Sequence, residues 1–247
     1  MCMICWTEGL TEAPSIQLDC GHIFHQDCTK NLLEARWSGS RISFGFAQCP
    51  ICKIPISHKS LKPITDVIDN IREEIIRKGK VRVEYHNMNN DPSLLPGGRY
   101  ENRIEDFIMD HFSYYLCFKC KQPYFGGTNQ CVAGAAAQNF NPEELICGGC
   151  SSGDNPSSIC PKHGKDYLEF KCRYCCSVAI WFCFGTTHFC ESCHNNHTTL
   201  SDKKKHPQCP VGPGGIELSG DVCPLKVDHP PTGKEFALGC GICRESF

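Results

Sequence analysis

Seven cysteine pairs, each with two residues between its members, run through this chain of 247 residues: Cys2/Cys5, Cys49/Cys52, Cys117/Cys120, Cys147/Cys150, Cys172/Cys175, Cys190/Cys193 and Cys240/Cys243. Two thiolates at that spacing can reach one tetrahedral metal ion, so the repeat points to zinc rather than to a disulfide framework. Cys160/His163 makes the same bite with an imidazole. Zinc thiolates imply a reducing compartment, cytoplasmic or nuclear.

From the start, the ligand types run Cys2, Cys5, Cys20, His22, His25, Cys28, Cys49, Cys52, which is four close pairs and two metal ions. This order resembles the RING finger. The resemblance implies a cross-brace, with Cys2, Cys5, His25 and Cys28 on one ion and Cys20, His22, Cys49 and Cys52 on the other; two consecutive independent fingers are the alternative. RING fingers recruit a ubiquitin-conjugating enzyme through a shallow apolar groove, and the matching positions here are Ile4, Trp37 and Pro50. Trp37 could instead be a core aromatic at a helix end. After the last ligand many RING fingers carry an arginine, whereas this chain has Lys53, a poorer bidentate clamp.

Sixteen cysteines follow residue 113. Cys117, Cys120, Cys147 and Cys150 make one four-thiolate set. Cys160 and His163 are expected with Cys190 and Cys193, and Cys172 and Cys175 with Cys240 and Cys243. Cys176, Cys209 and Cys223 then need one nitrogen, from His229 or from its rivals His188 and His206. Cys131 and Cys183 are left over. Cys131 lies in a run of Gly, Ala and small residues from Gly126 to Ala135, expected to be an exposed loop; Cys183 ends a strand-like apolar run. On their own, one reads as an idle loop thiol and the other as a buried inert one.

The elements that would position these groups are few. The expected fold class is α+β, built of small irregular zinc-stabilised domains: a RING at 1–58, a linker at 59–112 and a multi-zinc tandem-cysteine domain at 113–247. In the linker Ile64, Val67, Ile68, Ile71 and Ile75 follow helical spacing, which predicts a helix from about 63 to 79 with Pro63 in its first turn and Gly79 at its stop. That helix reads as a spacer packing on its neighbours, or as a docking face. Beyond it only short strand-like runs occur, so metal must organise the fold, each structural zinc contributing on the order of 10 kcal/mol. With a ligand already at position 2, the chain is expected to be a C-terminal piece of a larger protein.

Charge and hydropathy exclude other classes. The net charge is −2 and the longest basic run is Lys203–Lys205, so the basic or aromatic surface that a nucleic-acid or histone reader would want is missing. The apolar stretch 178–184 is far short of the ~20 residues that cross a bilayer, so no membrane is expected.

Three runs carry a closer resemblance: Phe182-Cys183-Phe184-Gly185-Thr186-Thr187-His188-Phe189-Cys190, Lys171-Cys172-Arg173-Tyr174-Cys175-Cys176, and Phe236-Ala237-Leu238-Gly239-Cys240-Gly241. Together with the RING they resemble the Pam/Highwire/Myc-binding protein 2 family of RING-Cys-relay ubiquitin ligases over essentially the whole chain. The resemblance implies that Cys131 takes ubiquitin from the charged conjugating enzyme, relays it to Cys183, and that Cys183 esterifies it to a hydroxyl, threonine preferred over serine, on a protein substrate. His194 is implied as general base with Glu144 orienting it, and Phe184 and Phe189 as walls of the acceptor pocket. A zinc ligand and a solvated helix-start acid are the plainer readings of His194 and Glu144. Where the family can supply another aromatic wall this chain has His197, which loosens the expected threonine selectivity. About six zinc ions are expected, two in the RING and four beyond it. A neuronal setting is what the family resemblance adds to the expected location. The competing reading is a RING scaffold that promotes lysine modification beside a zinc module that only binds substrate.

Overall fold

The computed structural model describes residues 1–128, 140–153, 159–196 and 219–244. Two compact units divide at residue 74: Met1–Glu74 and Ile75–Phe247. In the first, β1 (Ser15–Gln17) pairs antiparallel with β2 (Ile23–His25), and α1 (Gln26–Ala35) follows directly. On α1, Thr29 and Leu33 are buried one turn apart, and the Thr29 hydroxyl donates to the His25 carbonyl at 2.9 Å. Ile16, Leu18, Phe24, Leu33, Ile42, Phe44 and Ile56 form a small core, too small to hold the fold without help.

That help comes from the knuckles. In three Cys-x-x-Cys turns the N–H of the residue after the second cysteine donates back to the first cysteine's carbonyl: Trp6 to Cys2 at 3.0 Å, Lys53 to Cys49 at 2.9 Å and Lys121 to Cys117 at 2.9 Å. All three residues adopt positive φ, from 57° to 62°. This left-handed conformation is rare for side-chain-bearing residues, and closing the turn is what imposes it here.

The linker helix is longer than its sequence pattern predicts. α2 runs Lys62–Tyr85, straight through Gly79. Gly79 is a contact residue and not a stop: a Cβ there would overlap the side chain of Ile108 on α3 (Ile104–His111). The helix ends instead where Asn87 turns left-handed at φ 53°, with the His86 N–H still reaching the Arg82 carbonyl at 2.9 Å. Of the expected apolar stripe, Ile68, Ile71 and Ile75 are buried, but Val67 is 44% exposed.

In the second unit the C-terminal half of α2 is tied down by charge. Arg82 lies over the Phe125 ring at 3.4 Å and pairs with the buried carboxylate of Glu169, whose other oxygen takes Arg244 at 3.2 Å. Among the described residues the sheets of this unit are three two-stranded antiparallel pairs: β3 (Phe112–Leu116) with β4 (Pro123–Thr128), β5 (Leu168–Phe170) with β8 (Ala237–Cys240), and β6 (Trp181–Cys183) with β7 (Thr187–Phe189). Short helices α4 (Gly148–Ser151) and α5 (Glu191–Asn195) each begin at a cysteine knuckle. The predicted loop from Gly126 is strand up to Thr128: Gly126 lets β4 lie against Tyr115 and Ile180, where a Cβ would collide. Among the described residues no helix is long and apolar enough to cross a membrane.

Candidate functional site

Among the described residues, seven groups of three or more ligand-type side chains have their ligand atoms within 4.8 Å of one another, and these include five sets of four Cys/His side chains. Two lie in the first unit, Cys2/Cys5/His25/Cys28 and Cys20/His22/Cys49/Cys52, in the interleaved pairing of a cross-brace. Three lie in the second: Cys117/Cys120/Cys147/Cys150, Cys160/His163/Cys240/Cys243 and Cys172/Cys175/Cys190/Cys193. Cys176 and Cys223 approach Nε2 of His229 at 3.4 and 3.3 Å, which selects His229 over His188 as their partner. Cys209, His197 and His206 lie outside the described residues.

The donor geometry fits zinc. A tetrahedron with Zn–S bonds near 2.3 Å has edges of about 3.8 Å. Here Cys120 and Cys147 sulfurs are 3.8 Å apart, Cys160 and Cys243 3.7 Å, and Cys28 Sγ and His25 Nδ1 3.6 Å. The sulfurs also compete for charge. A hydrogen bond from Cys147 holds the Cys117 thiol down to about 4, while burial, and then the bond and charge of Cys117, push Cys120 up to about 11. A divalent cation is what lets all four ionise together. Next to Cys172 in sequence, fully buried Lys171 donates from Nζ to the Cys172 carbonyl at 3.1 Å.

Two of the expected sets exchange partners. Cys160/His163 joins Cys240/Cys243, not Cys190/Cys193, because β5 pairs with β8 in the register Leu168↔Cys240 and draws the two ends of the domain together. Cys172/Cys175 joins Cys190/Cys193 because the Arg173 N–H bonds the His188 carbonyl at 2.8 Å, laying one knuckle beside the other.

Cys183 belongs to none of these five sets. It ends β6, opposite Thr187 on β7, and is 2% exposed. Strand alternation puts Trp181, Cys183, Thr187 and Phe189 on one face of this hairpin. That face meets Glu144 and His194. Glu144 arrives on a 3-10 turn, Pro142–Glu144, whose start is capped by Asn141 accepting the Glu143 N–H at 3.1 Å. His194 arrives on α5, fixed by its N–H to the Cys190 carbonyl at 2.9 Å. Its Nε2 lies 3.3 Å from Glu144 Oε2, and its ring lies flat on Trp181. Burial, then the charge and hydrogen bond of Glu144, push the Cys183 thiol well above its ordinary value. Three separate segments thus bring a thiol, a carboxylate and an imidazole together.

The flanking phenylalanines differ. Phe189 is buried edge-on to His194, with ring centroids 6.2 Å apart. Phe184 stands 74% exposed at the hairpin tip in the left-handed region, φ 56°. Cys131 lies outside the described residues. In the first unit Ile4, Trp37 and Pro50 are all half-buried, and Trp37 leans on Phe46 at 6.2 Å rather than entering the core. Ile51 within the last RING knuckle and Ile54 just after it are exposed. Sequence reasoning assigned no role to Trp181; its place two residues before Cys183, on the same strand face, was the available signal.

Comparison with known proteins bears on the RING and on the family. The Ring finger domain family matches residues 1–53. The chain is 51% identical over 250 residues to E3 ubiquitin-protein ligase MYCBP2 of Danio rerio, and 51% identical over 248 residues to E3 ubiquitin-protein ligase highwire of Drosophila melanogaster. Both matches cover 100% of this chain and 5% of the relative, so the chain spans about a twentieth of the length of these proteins. Tripartite motif-containing protein 26 of Homo sapiens is 26% identical over 110 residues, 43% of this chain and 19% of that protein. Identity of 51% along the whole of this chain decides the affiliation: the chain belongs to the Pam/Highwire/MYCBP2 family.

Proposed function

We propose that this chain is a ubiquitin ligase that carries ubiquitin covalently, from a conjugating enzyme to Cys131, then to Cys183, and finally to a hydroxyl with threonine preferred. The observation that supports it is the meeting of Cys183, Glu144 and His194 on three separate segments around a thiol outside the five four-ligand sets. Ile4, Trp37 and Pro50 dock the charged conjugating enzyme. Six zinc sites, the sixth made by Cys176, Cys209, Cys223 and His229, hold the scaffold in a cytoplasmic or nuclear setting.

Each transfer balances. In the relay the Cys183 sulfur attacks the thioester carbonyl; the bond to Cys131 breaks, and Cys131 leaves as thiolate and takes up the proton that Cys183 gave up. Like is exchanged for like, so little driving force is needed. In the last step the acceptor oxygen attacks the Cys183 thioester while its proton passes to His194. Glu144 stabilises the imidazolium, and that proton returns to the departing Cys183 sulfur. Phe184 and Phe189 give the threonine methyl an apolar wall, worth about 1–3 kcal/mol over serine, so preference and not exclusion follows.

A second reading has one observation in its favour. Cys183 is buried and held protonated, as an inert core thiol would be, which suits a RING that activates its partner for lysine transfer without a covalent step. The separating experiment supplies ubiquitin-charged conjugating enzyme with free threonine, serine or lysine. Discharge to threonine above serine, a reductant-sensitive adduct on the chain, and loss of both in Cys183→Ala support the relay. Fast discharge to lysine with none to threonine leaves the scaffold.

A further inference from the structure

The reverse face of the β6–β7 hairpin carries a second constellation. His188 pairs with Phe182 across the hairpin, so its side chain projects away from Cys183. The imidazole lies flat on Phe170, centroids 3.9 Å apart and planes within 4°, and leans on Phe182 at 4.5 Å. Its Nδ1 is 2.6 Å from Glu235 Oε2 and its Nε2 is 2.9 Å from Ser151 Oγ. A carboxylate only accepts, so Nδ1 carries the hydrogen and Nε2 accepts from the serine hydroxyl. The other oxygen of Glu235 takes the backbone N–H of His188 at 3.2 Å, and the His188 carbonyl takes the Arg173 N–H at 2.8 Å.

The order serine, imidazole, carboxylate is that of a nucleophile with its relay, but the surroundings point elsewhere. Both ring faces are covered, and the carboxylate is shared with the backbone of the same residue. This arrangement grips a strand. It satisfies the edge of β7 that β6 leaves open and reaches from that strand to α4 and to the approach of β8. A slip of one residue would turn every side chain of the slipped strand to the other face, and in β6 that carries Cys183 away from Glu144.

We propose that His188, held by Glu235 and Ser151, is a positioning residue that fixes the β6–β7 hairpin in the one register that aims Cys183 at Glu144 and His194. Its effect on turnover rests on the relay reading above, whereas its effect on Cys183 does not.

The test compares the parent protein with His188→Ala, His188→Gln and Glu235→Gln. Alkylation of Cys183 by iodoacetamide, followed on its own peptide by mass spectrometry, needs no ubiquitin; zinc content and discharge to threonine are measured beside it. In His188→Ala we expect zinc content unchanged, Cys183 alkylation about ten-fold faster, and kcat for threonine about ten-fold lower with KM unaltered. His188→Gln, whose amide keeps one donor and one acceptor, restores both rates. Unchanged alkylation in His188→Ala overturns the proposal, and so does failure of His188→Gln to restore the rates at parental zinc content. Should His188→Ala lose zinc, Glu235→Gln decides on the same alkylation readout. If even the parent fails to discharge ubiquitin, the relay reading falls while the alkylation rates still judge the role of His188.

Discussion

The imidazole of His194 rests face to face on the indole of Trp181, with centroids 4.1 Å apart and planes within 10°. Trp181 is two residues before Cys183 on β6, so one short strand carries both the thiol and the shelf on which the proposed base lies. Loss of the shelf should therefore misplace the base without removing it. Trp181→Phe keeps a ring face and should slow ester formation only modestly, whereas Trp181→Leu should slow it by about 10²-fold. Single-turnover discharge to threonine reads this, with the Cys183 thioester followed on non-reducing gels. Equal rates in the two variants would remove the orienting role.

The Cys183 thiol gives a pH prediction with a definite sign. Burial and the neighbouring Glu144 carboxylate raise it above its ordinary 9.0, so the neutral thiol is the folded form. The parent's alkylation rate should keep climbing past pH 9 without a plateau, and Glu144→Gln should speed alkylation at pH 8 by removing the charge that opposes the thiolate. Linkage runs the same way. The stability tied to the protonated thiol is whole below the unfolded-state value near 9.0 and is lost as pH rises through the higher folded-state value. Stopped alkylation across pH, with urea midpoints at each pH, checks both; a slower Glu144→Gln variant at pH 8 would refute the assignment of cause.

These partners also mark what the sequence could and could not reveal. Every RING ligand was legible, because the alternation of cysteine and histidine pairs from Cys2 to Cys52 is a local code that one metal geometry enforces. Membership of the three four-residue sets in the second unit was legible for the same reason, but partner choice was not. That choice follows from β5 meeting β8 across some seventy residues, which no spacing within a knuckle records. Gly79 misled because glycine serves both as helix stop and as close-contact residue, and only the position of Ile108 decides between them. His188 was read only as a rival zinc ligand, because Ser151 and Glu235 are 37 and 47 residues away.

The metal sets should empty in order of burial. All four residues of Cys172/Cys175/Cys190/Cys193 are buried, whereas those of Cys160/His163/Cys240/Cys243 are half-buried. A chelator should strip the second set first, with a partial loss of tertiary signal as β5 and β8 separate. Release from the first set should coincide with collapse of the unit, since each structural zinc supplies about 10–16 kcal/mol of folding free energy. Zinc release by a colorimetric dye, with alkylation of each cysteine read by mass spectrometry, reports the order. Labelling of Cys172 before Cys240 would reverse it.

Phe184 bears two costs that a stability-driven choice would avoid. It is 74% exposed, and at φ 56° it occupies a conformation that disfavours side-chain-bearing residues by about 1–2 kcal/mol. Gly185 after it is also left-handed at φ 66°, and the Thr186 N–H closes on the Cys183 carbonyl at 3.1 Å, the pattern of a type I′ hairpin turn. Asn-Gly is the dipeptide such a turn prefers, so Phe184→Asn should raise the melting temperature by about 2–4 °C. If the ring is held there to face the acceptor, the same substitution should lower threonine discharge and bring the threonine-to-serine ratio towards unity, the apolar wall being worth about 1–3 kcal/mol. Scanning calorimetry and paired discharge assays measure the two effects separately. A variant that melts lower shows that the phenyl ring supports the turn, and a variant with an unchanged ratio shows that the wall is made by other residues.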